Sequence, residues 1–288
     1  MPSTNWDAWP KWNGEEKLQT PRFSFSYSAT DYSGVTSTDN IILLKNRALL
    51  ELYRTVTSDG RAQSILELGF FQGGMPLFLA DMLAPRKIVA VDQIQPSAEV
   101  TGIVKRNRLP IEFIGGVDQN DTDRIRSIVE TNFKEPVDLI IDDCSHCYPQ
   151  TKACFEALFG YLRPGGKYII EDWGWSHWPG IWQTQESHFH GMESMTNLVF
   201  ELVMAHASNP ATIAGVNIAH PAFIVITGGC DLEYGHPLNL RAITNIYSGC
   251  PIHPVMDSYR CFLSPPVSPG WVCSAGAGRR LQADWPGT

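Results

Sequence analysis

Val137-Asp138-Leu139-Ile140-Ile141-Asp142-Asp143-Cys144-Ser145-His146 is the stretch on which the fold turns. Its first half is a short, nearly continuous apolar run, as in a strand covered on both faces. Its second half breaks into two carboxylates, a cysteine, a serine and a histidine. A second run of the same kind follows, Gly166-Lys167-Tyr168-Ile169-Ile170 into Glu171-Asp172. In a parallel α/β sheet, ligands bind outside the carboxyl ends of the strands. Two such strands ending in acids place Asp143, Glu171 and Asp172 on one rim, with His146 beside them. Crowded carboxylates repel one another, and a cation is their expected partner.

On either side of these runs, strands and helices alternate. Residues 64–68 read as a strand, and Gly73-Gly74 open a helix through 82. Residues 87–91 form a strand ending at Asp92, and 96–105 a helix. Residues 111–114 form the third strand, and Asp121 caps a helix through 131. After the strand at 137–141 come a helix over 151–162, a turn at 163–166 and a strand at 167–170. This spacing predicts a parallel sheet in a doubly wound α/β fold. Beyond Asp172 the pattern loosens into an aromatic, turn-rich loop, a helix at 195–207 and strands at 222–227 and 240–247. Residues 1–35 show no period and read as an irregular arm. Asp39 is the expected cap of a helix over 41–56, with Ile42, Leu43, Leu49, Leu50, Leu52 and Tyr53 on its apolar face. The main domain is expected at 36–250, with a loop-rich tail at 251–288.

The 288 residues are 43% hydrophobic and 18% charged, which suits a domain with a full core. A formal charge of −8 argues against non-specific nucleic-acid binding, which needs a basic footprint. No apolar run reaches membrane-spanning length. Residues 1–7 lack a basic region followed by an apolar core, so a soluble, cytoplasmic protein is expected. The seven cysteines are odd in number and irregularly spaced, unlike a disulfide framework. Cys144 and Cys147 have C-x-x-C spacing, but no second pair of similar spacing supports a zinc site. Cys154, Cys230, Cys250, Cys261 and Cys273 read as structural thiols.

Glu67-Leu68-Gly69-Phe70-Phe71-Gln72-Gly73-Gly74 joins the first strand of the alternation to its helix. Gly69 permits a tight turn beside a ligand, and Gly73 a close approach at the helix N-terminus. Phe71 stands where a dinucleotide fingerprint needs glycine, so a pyrophosphate cradle is disfavoured. Asp92 at the next strand end can accept hydrogen bonds from a ribose diol. Gly116-Val117-Asp118-Gln119, after the third strand, can meet an adenine edge. Asp142 is expected to face the same cofactor or to cap the next helix. Each feature alone is ordinary loop chemistry; in register they favour a nucleoside site.

With these motifs, the chain resembles the class I S-adenosylmethionine-dependent methyltransferases. More narrowly, it resembles the metal-dependent sugar O-methyltransferases of the macrocin and mycinamicin type, which are related to the cephalosporin hydroxylase family. The resemblance rests on Glu67-Leu68-Gly69 with Gly73-Gly74, Asp118-Gln119, Asp142-Asp143-Cys144-Ser145-His146, and Arg163-Pro164-Gly165-Gly166 before Glu171-Asp172, over residues 40–175. Met75 departs from it, because the family often carries serine there. The resemblance implies a mostly parallel seven-stranded sheet and S-adenosylmethionine held by Glu67, Gly69, Gly73, Asp92, Asp118, Gln119 and Asp142. It also implies Mg²⁺, or Mn²⁺ by similar oxygen preference, on Asp143, Glu171 and Asp172, with His146 as general base. A sugar or glycoside acceptor and self-association into a homo-oligomer are further expectations of this kind.

The residues agree with that chemistry. Hard cations prefer carboxylate oxygens and leave positions for substrate. Imidazole suits base work near neutrality. A catechol-type O-methyltransferase resembles an Asp…Asp-Asn ligand set with a lysine base, which this sequence does not match. A cephalosporin-hydroxylase-like oxidoreductase shares the acidic pattern and stays open at this point. Trp173, Trp175 and Trp178 read equally as sugar-stacking or as structural aromatics, and His177, His188 and His190 as solvated loop residues.

Overall fold

The computed structural model describes residues 4–14, 16–28 and 33–245. Near the N-terminus it has strands β1 (Lys11–Trp12), β2 (Lys17–Gln19), β3 (Ser24–Tyr27) and β4 (Ile41–Leu43), then helix α1 (Arg47–Thr57). The alternation follows as β5 (Ser64–Leu68), α2 (Gly74–Leu83), β6 (Lys87–Val91), α3 (Ala98–Asn107), β7 (Ile111–Ile114) and α4 (Thr122–Asn132). It continues through β8 (Val137–Asp142), α5 (Tyr148–Leu158) and β9 (Leu162–Ile170). The last described elements are α6 (Thr196–Ser208), β10 (Ile213–Ala219), β11 (Phe223–Gly228) and α7 (Leu240–Ile243).

The main sheet has seven strands in the order β10-β11-β9-β8-β5-β6-β7. β5 to β9 pair in parallel, whereas β11 is antiparallel to both its neighbours. The expected doubly wound, mostly parallel fold is therefore present. Period-two side-chain alternation splits its core into two layers. Leu66, Leu68, Val89, Ile140, Tyr168 and Ile170 face one side, under α4, α5 and α6. Ile65, Ile88, Leu139, Ile141 and Ile169 face the other, against α1, α2 and α3. Strands covered on both faces need apolar residues at almost every position, which explains the continuous runs in the sequence.

The first 35 residues are not an irregular arm. β1 to β4 form a second sheet, with β1, β2 and β3 antiparallel and β3 parallel to β4. This sheet packs on α2, a helix whose ten residues are all buried. Phe25 and Trp6 meet Phe78 of α2 with ring centroids 5.8 and 5.7 Å apart. Asp81, buried on α2, accepts hydrogen bonds from the Thr20 hydroxyl and from the backbone N–H and Nε of Arg22. An acid on a buried helix is explained by these three donors.

The expected helix over 41–56 is divided. Ile41, Ile42 and Leu43 are buried as β4 and pair with β3. The helix begins only after Asn46, whose side chain accepts the Leu49 N–H at 2.8 Å, so Asn46 and not Asp39 is the cap. The expected turn at 163–166 lies inside β9 as a register shift against β8. Arg163 is held there by Asp138, which also accepts the backbone N–H groups of Gln63 and Ser64 at 2.9 and 2.8 Å. α5 starts at Tyr148 and ends at Leu158, earlier at both ends than expected. Residues 240–243 are helical, not extended, because the Asn239 side chain caps the turn through the Ala242 N–H at 3.0 Å. The seventh strand is β10, which the sequence reading did not assign. Residues 246–288, with Cys250, Cys261 and Cys273, lie outside the described residues.

Candidate active site

The carboxyl ends of β5, β8 and β9 converge. Backbone hydrogen bonds continue past the strands, from Asp143 N–H to Leu68 O at 2.9 Å and from Glu171 N–H to Asp142 O at 3.0 Å. The acids are thus carried on the sheet itself. Ligand atoms of Asp143, His146 and Asp172 lie within 4.8 Å of one another, the one such metal-binding group among the described residues. His146 and Asp172 both have left-handed backbones, with φ of 54° and 52°. Such conformations in non-glycine residues are uncommon and concentrate at functional sites. The His146 carbonyl accepts the indole N–H of Trp175 at 2.8 Å, which holds the turn. His146 Nε2 stands 3.8 Å from Asp143 Oδ1, close but not hydrogen-bonded.

Glu171 is not part of this group. Its Oε1 accepts the hydroxyl of Tyr53, and its Oε2 lies 3.3 Å from Lys45 Nζ. The same ammonium donates to Asp143 Oδ2. Neither Lys45 nor Tyr53 was among the residues picked from sequence. Tyr53 read as part of an apolar helix face. Lys45 was hidden inside the overlong helix, and its one signal is its place between the apolar run of β4 and the Asn46 cap.

Burial, with Asp143 beside it, pushes the Glu171 carboxyl well up from its ordinary range, against the pull of Lys45. Burial likewise raises Asp172, with His146 opposing. For Lys45, burial alone would favour the neutral amine, but Asp143 and Glu171 outweigh it and hold the proton on. Asp143 and Glu171 therefore share one ammonium with Asp172 close by, and the remaining negative charge suits a divalent cation. Mg²⁺ fits this donor set.

A narrow cleft of about 20 Å³ lies beside the acids, lined by Leu43, Lys45, Glu67, Gly69, Phe71 and Asp143 among others. Glu67 is fully buried, and neither carboxylate oxygen has a hydrogen-bond partner among the described residues. Burial drives its pKa well above the usual carboxylate range. A buried carboxyl with no donor fits the cationic end of a cofactor. Gly69 has φ +90°, and a Cβ there would stand 2.0 Å from the Asp143 carbonyl oxygen. Gly73, the left-handed cap of α2, would clash with Val100. Asp92 accepts the Phe71 and Ile94 N–H groups at 2.8 and 3.1 Å, which fixes its carboxylate beside the cofactor loop. The exposed Asp118 is held by Asn120, whose backbone N–H lowers its pKa.

Gln119 and Asp142 are turned inward. Gln119 Nε2 donates to Asp142 Oδ1 at 2.9 Å, and its Oε1 accepts the Ser145 N–H at 3.2 Å. The Tyr168 hydroxyl completes Asp142 at 3.2 Å. Burial lifts the Asp142 pKa to about 7 against these hydrogen bonds. Asp142 does not cap α5, whose cap is Cys147. The pair braces the loop that carries Asp143 and His146.

The aromatic loop after Asp172 packs on itself. Trp175 stacks on Phe189 at 4.5 Å, and Trp182 meets Phe189 and Trp178 at 5.8 and 5.1 Å. His177, His188 and His190 are exposed, and His177 is bound to Thr196 at 2.6 Å. Cys144, Cys147, Cys154 and Cys230 are free thiols.

Residues 66–173 match the family model described as a methyltransferase domain. More particularly, the chain is similar to the mycinamicin VI 2''-O-methyltransferase of Micromonospora griseorubida, at 42% identity over 75 residues. That match covers 26% of this chain and 18% of the relative. It is also similar to the L-olivosyl-oleandolide 3-O-methyltransferase of Streptomyces antibioticus, at 32% over 126 residues, 42% of this chain and 30% of the relative. The matched stretches thus span less than a third of either relative. Among solved structures, the MycE methyltransferase from the mycinamycin pathway, in complex with Mg and SAH, aligns at TM-score 0.49 and 23% identity, covering 70% of this chain and 52% of that one. The expected resemblance to sugar O-methyltransferases is borne out. No helix among the described residues is long and apolar enough to cross a membrane.

Proposed function

We propose that this chain is a metal-dependent O-methyltransferase that moves a methyl group from S-adenosylmethionine to a hydroxyl of a sugar or glycosylated natural product. The observation that carries the reading is the convergence of Asp143, His146 and Asp172 within 4.8 Å, next to a cleft that contains the unpartnered Glu67. Glu67 receives the cationic end of S-adenosylmethionine, Gly69 and Gly73 let it approach the backbone, and Asp92 receives the ribose diol. Asp118 lies at the adenine end. Gln119 and Asp142 support that wall from behind.

Asp143 and Asp172, with Glu171, hold Mg²⁺ or Mn²⁺, which when bound acidifies the acceptor hydroxyl and fixes its direction. His146 takes the proton at Nε2, the atom that faces Asp143. Lys45 is a poor candidate for base, because its ammonium is ion-paired with two carboxylates. That keeps the catechol-type alternative behind the sugar-type reading. Holding acceptor and methyl donor in line supplies much of the acceleration. The aromatic loop from Trp173 to Phe189 limits water access on the acceptor side.

The test is transfer of labelled methyl from S-adenosylmethionine to a panel of glycosides, with Mg²⁺ or with EDTA and without added reductant. Metal-dependent transfer is the expected result. Turnover only with a reductant and oxidant would favour the cephalosporin-hydroxylase-like alternative.

A further inference from the structure

We propose that Lys45 is a built-in counter-cation of the carboxylate cluster, an ammonium that a divalent ion displaces from Asp143 and Glu171. The proposal rests on the metal reading given above and adds a residue that no motif marks.

Lys45 is 5% exposed, and its Nζ bridges acids from two different strand ends. It donates to Asp143 Oδ2 and lies 3.3 Å from Glu171 Oε2. The ammonium is on Asp143 Oδ2, whereas Asp143 Oδ1 lies 3.8 Å from His146 Nε2, and ligand atoms of Asp143, His146 and Asp172 gather within 4.8 Å of one another. A divalent ion there shares the Asp143 carboxylate with the ammonium. Two cations a few ångströms apart in a buried site repel strongly. The ammonium also occupies the space through which Glu171 would reach an ion bound to Asp143. Recruiting all three acids therefore means moving Lys45.

The means of movement is built in. A lysine ammonium is a point charge on a four-carbon stem with free rotation. Lys45 follows β4 after Leu44 and lines the narrow cleft together with Glu67, Gly69 and Phe71. The stem can withdraw along that cleft while β4 stays fixed on α2, where the Ile42 carbonyl sits against Gly74. In the metal-free protein Lys45 keeps Asp143 and Glu171 from repelling one another. Its displacement makes metal binding weaker and more reversible than the acid count alone implies.

Two measurements test this on the 288-residue chain with Mn²⁺ as the only ligand. In the first, Mn²⁺ affinity is read by electron paramagnetic resonance for the wild type and for Lys45→Met, Lys45→Gln and Lys45→Arg. The neutral variants are expected to bind about tenfold tighter, about 1.4 kcal/mol, whereas Lys45→Arg gains nothing. Equal or weaker binding by folded neutral variants would overturn the proposal and leave the metal site standing. Absence of Mn²⁺ binding in every variant would overturn both. The second measurement needs no substitution. Amine acetylation of Lys45 in the wild type, read by peptide mass spectrometry, is expected to rise severalfold when Mn²⁺ is added. Unchanged labelling with Mn²⁺ bound would contradict displacement.

Discussion

Lys45, Tyr53 and Gln119 decide what the acids at the strand ends can do. Lys45 and Tyr53 hold Glu171, and Gln119 with Tyr168 holds Asp142. Asp172, by contrast, makes no hydrogen bond or ion pair among the described residues, and His146 is fixed through its carbonyl and not its ring. Groups left open in this way are the ones free to meet a ligand. His146→Ala is therefore expected to keep S-adenosylhomocysteine affinity and lose turnover by about 100- to 10,000-fold. Single-turnover assays with calorimetry would check the two effects separately, and full activity would remove His146 as the base. A pH effect follows from Asp142. Its folded pKa is raised to about 7, so the folded state binds a proton that the unfolded state has already lost. Its stabilising effect is complete below the unfolded carboxylate range, about pH 4, and is lost as pH rises through about 7. The lowered Glu99 and Asp118 act at still lower pH. The metal-free protein is expected to melt at a lower temperature at about pH 8 than at about pH 6. Asp142→Asn should flatten that slope.

At the scale of elements, the loop from β5 to α2 is where backbone shape matters most. Gly69 has φ +90° with the Asp143 carbonyl 2.0 Å from its missing Cβ, whereas Gly165 has φ +76° and meets nothing closer than 3.7 Å. Both positions resist a side chain conformationally, at about 1–2 kcal/mol. Gly69 adds a backbone clash that only a shift of the Asp143 loop can relieve. Urea denaturation is expected to show Gly69→Ala losing at least about 2 kcal/mol more than Gly165→Ala; equal losses would contradict the tight packing of that loop on Asp143. The alternation from β5 to β9 was legible because strands buried on both faces must be apolar throughout, and capping at Asp121 marked α4 by chemistry. β4 was misread because an apolar run of three residues has no period, so it merged with the helix that follows it. The shift inside β9 was read as a turn because Pro164, Gly165 and Gly166 punctuate sequence strongly. The Arg163–Asp138 ion pair that keeps the strand intact depends on a partner one strand away.

Across the whole molecule, the small N-terminal sheet and the large one serve the same site. The small sheet is tied to α2 by Asp81 and by Phe25 and Trp6 on Phe78, and its last strand delivers Lys45 to the acids. None of this was legible from sequence, since strands of two to four residues carry too little pattern and their partners lie 50 or more residues away in α1 and α2. The acid triad and its histidine were legible because one strand end supplies each group. Lys45 was not, because it arrives from a different sheet. Asp81→Ala leaves the Thr20 hydroxyl and the Arg22 N–H without their acceptor. It is expected to cost about 2 kcal/mol and to speed hydrogen exchange in β2 and β3 before the main sheet. Uniform exchange across both sheets would contradict the stapling role.

The proposed S-adenosylmethionine site lies in the cleft beside Glu67, next to the acids proposed to hold the metal. Calorimetric titration of the purified chain with S-adenosylhomocysteine, in Mg²⁺ and again in EDTA, tests it most directly. The account expects micromolar binding, about −8 kcal/mol, that weakens when Glu67 is changed to Gln. Absence of binding in both Mg²⁺ and EDTA would contradict it.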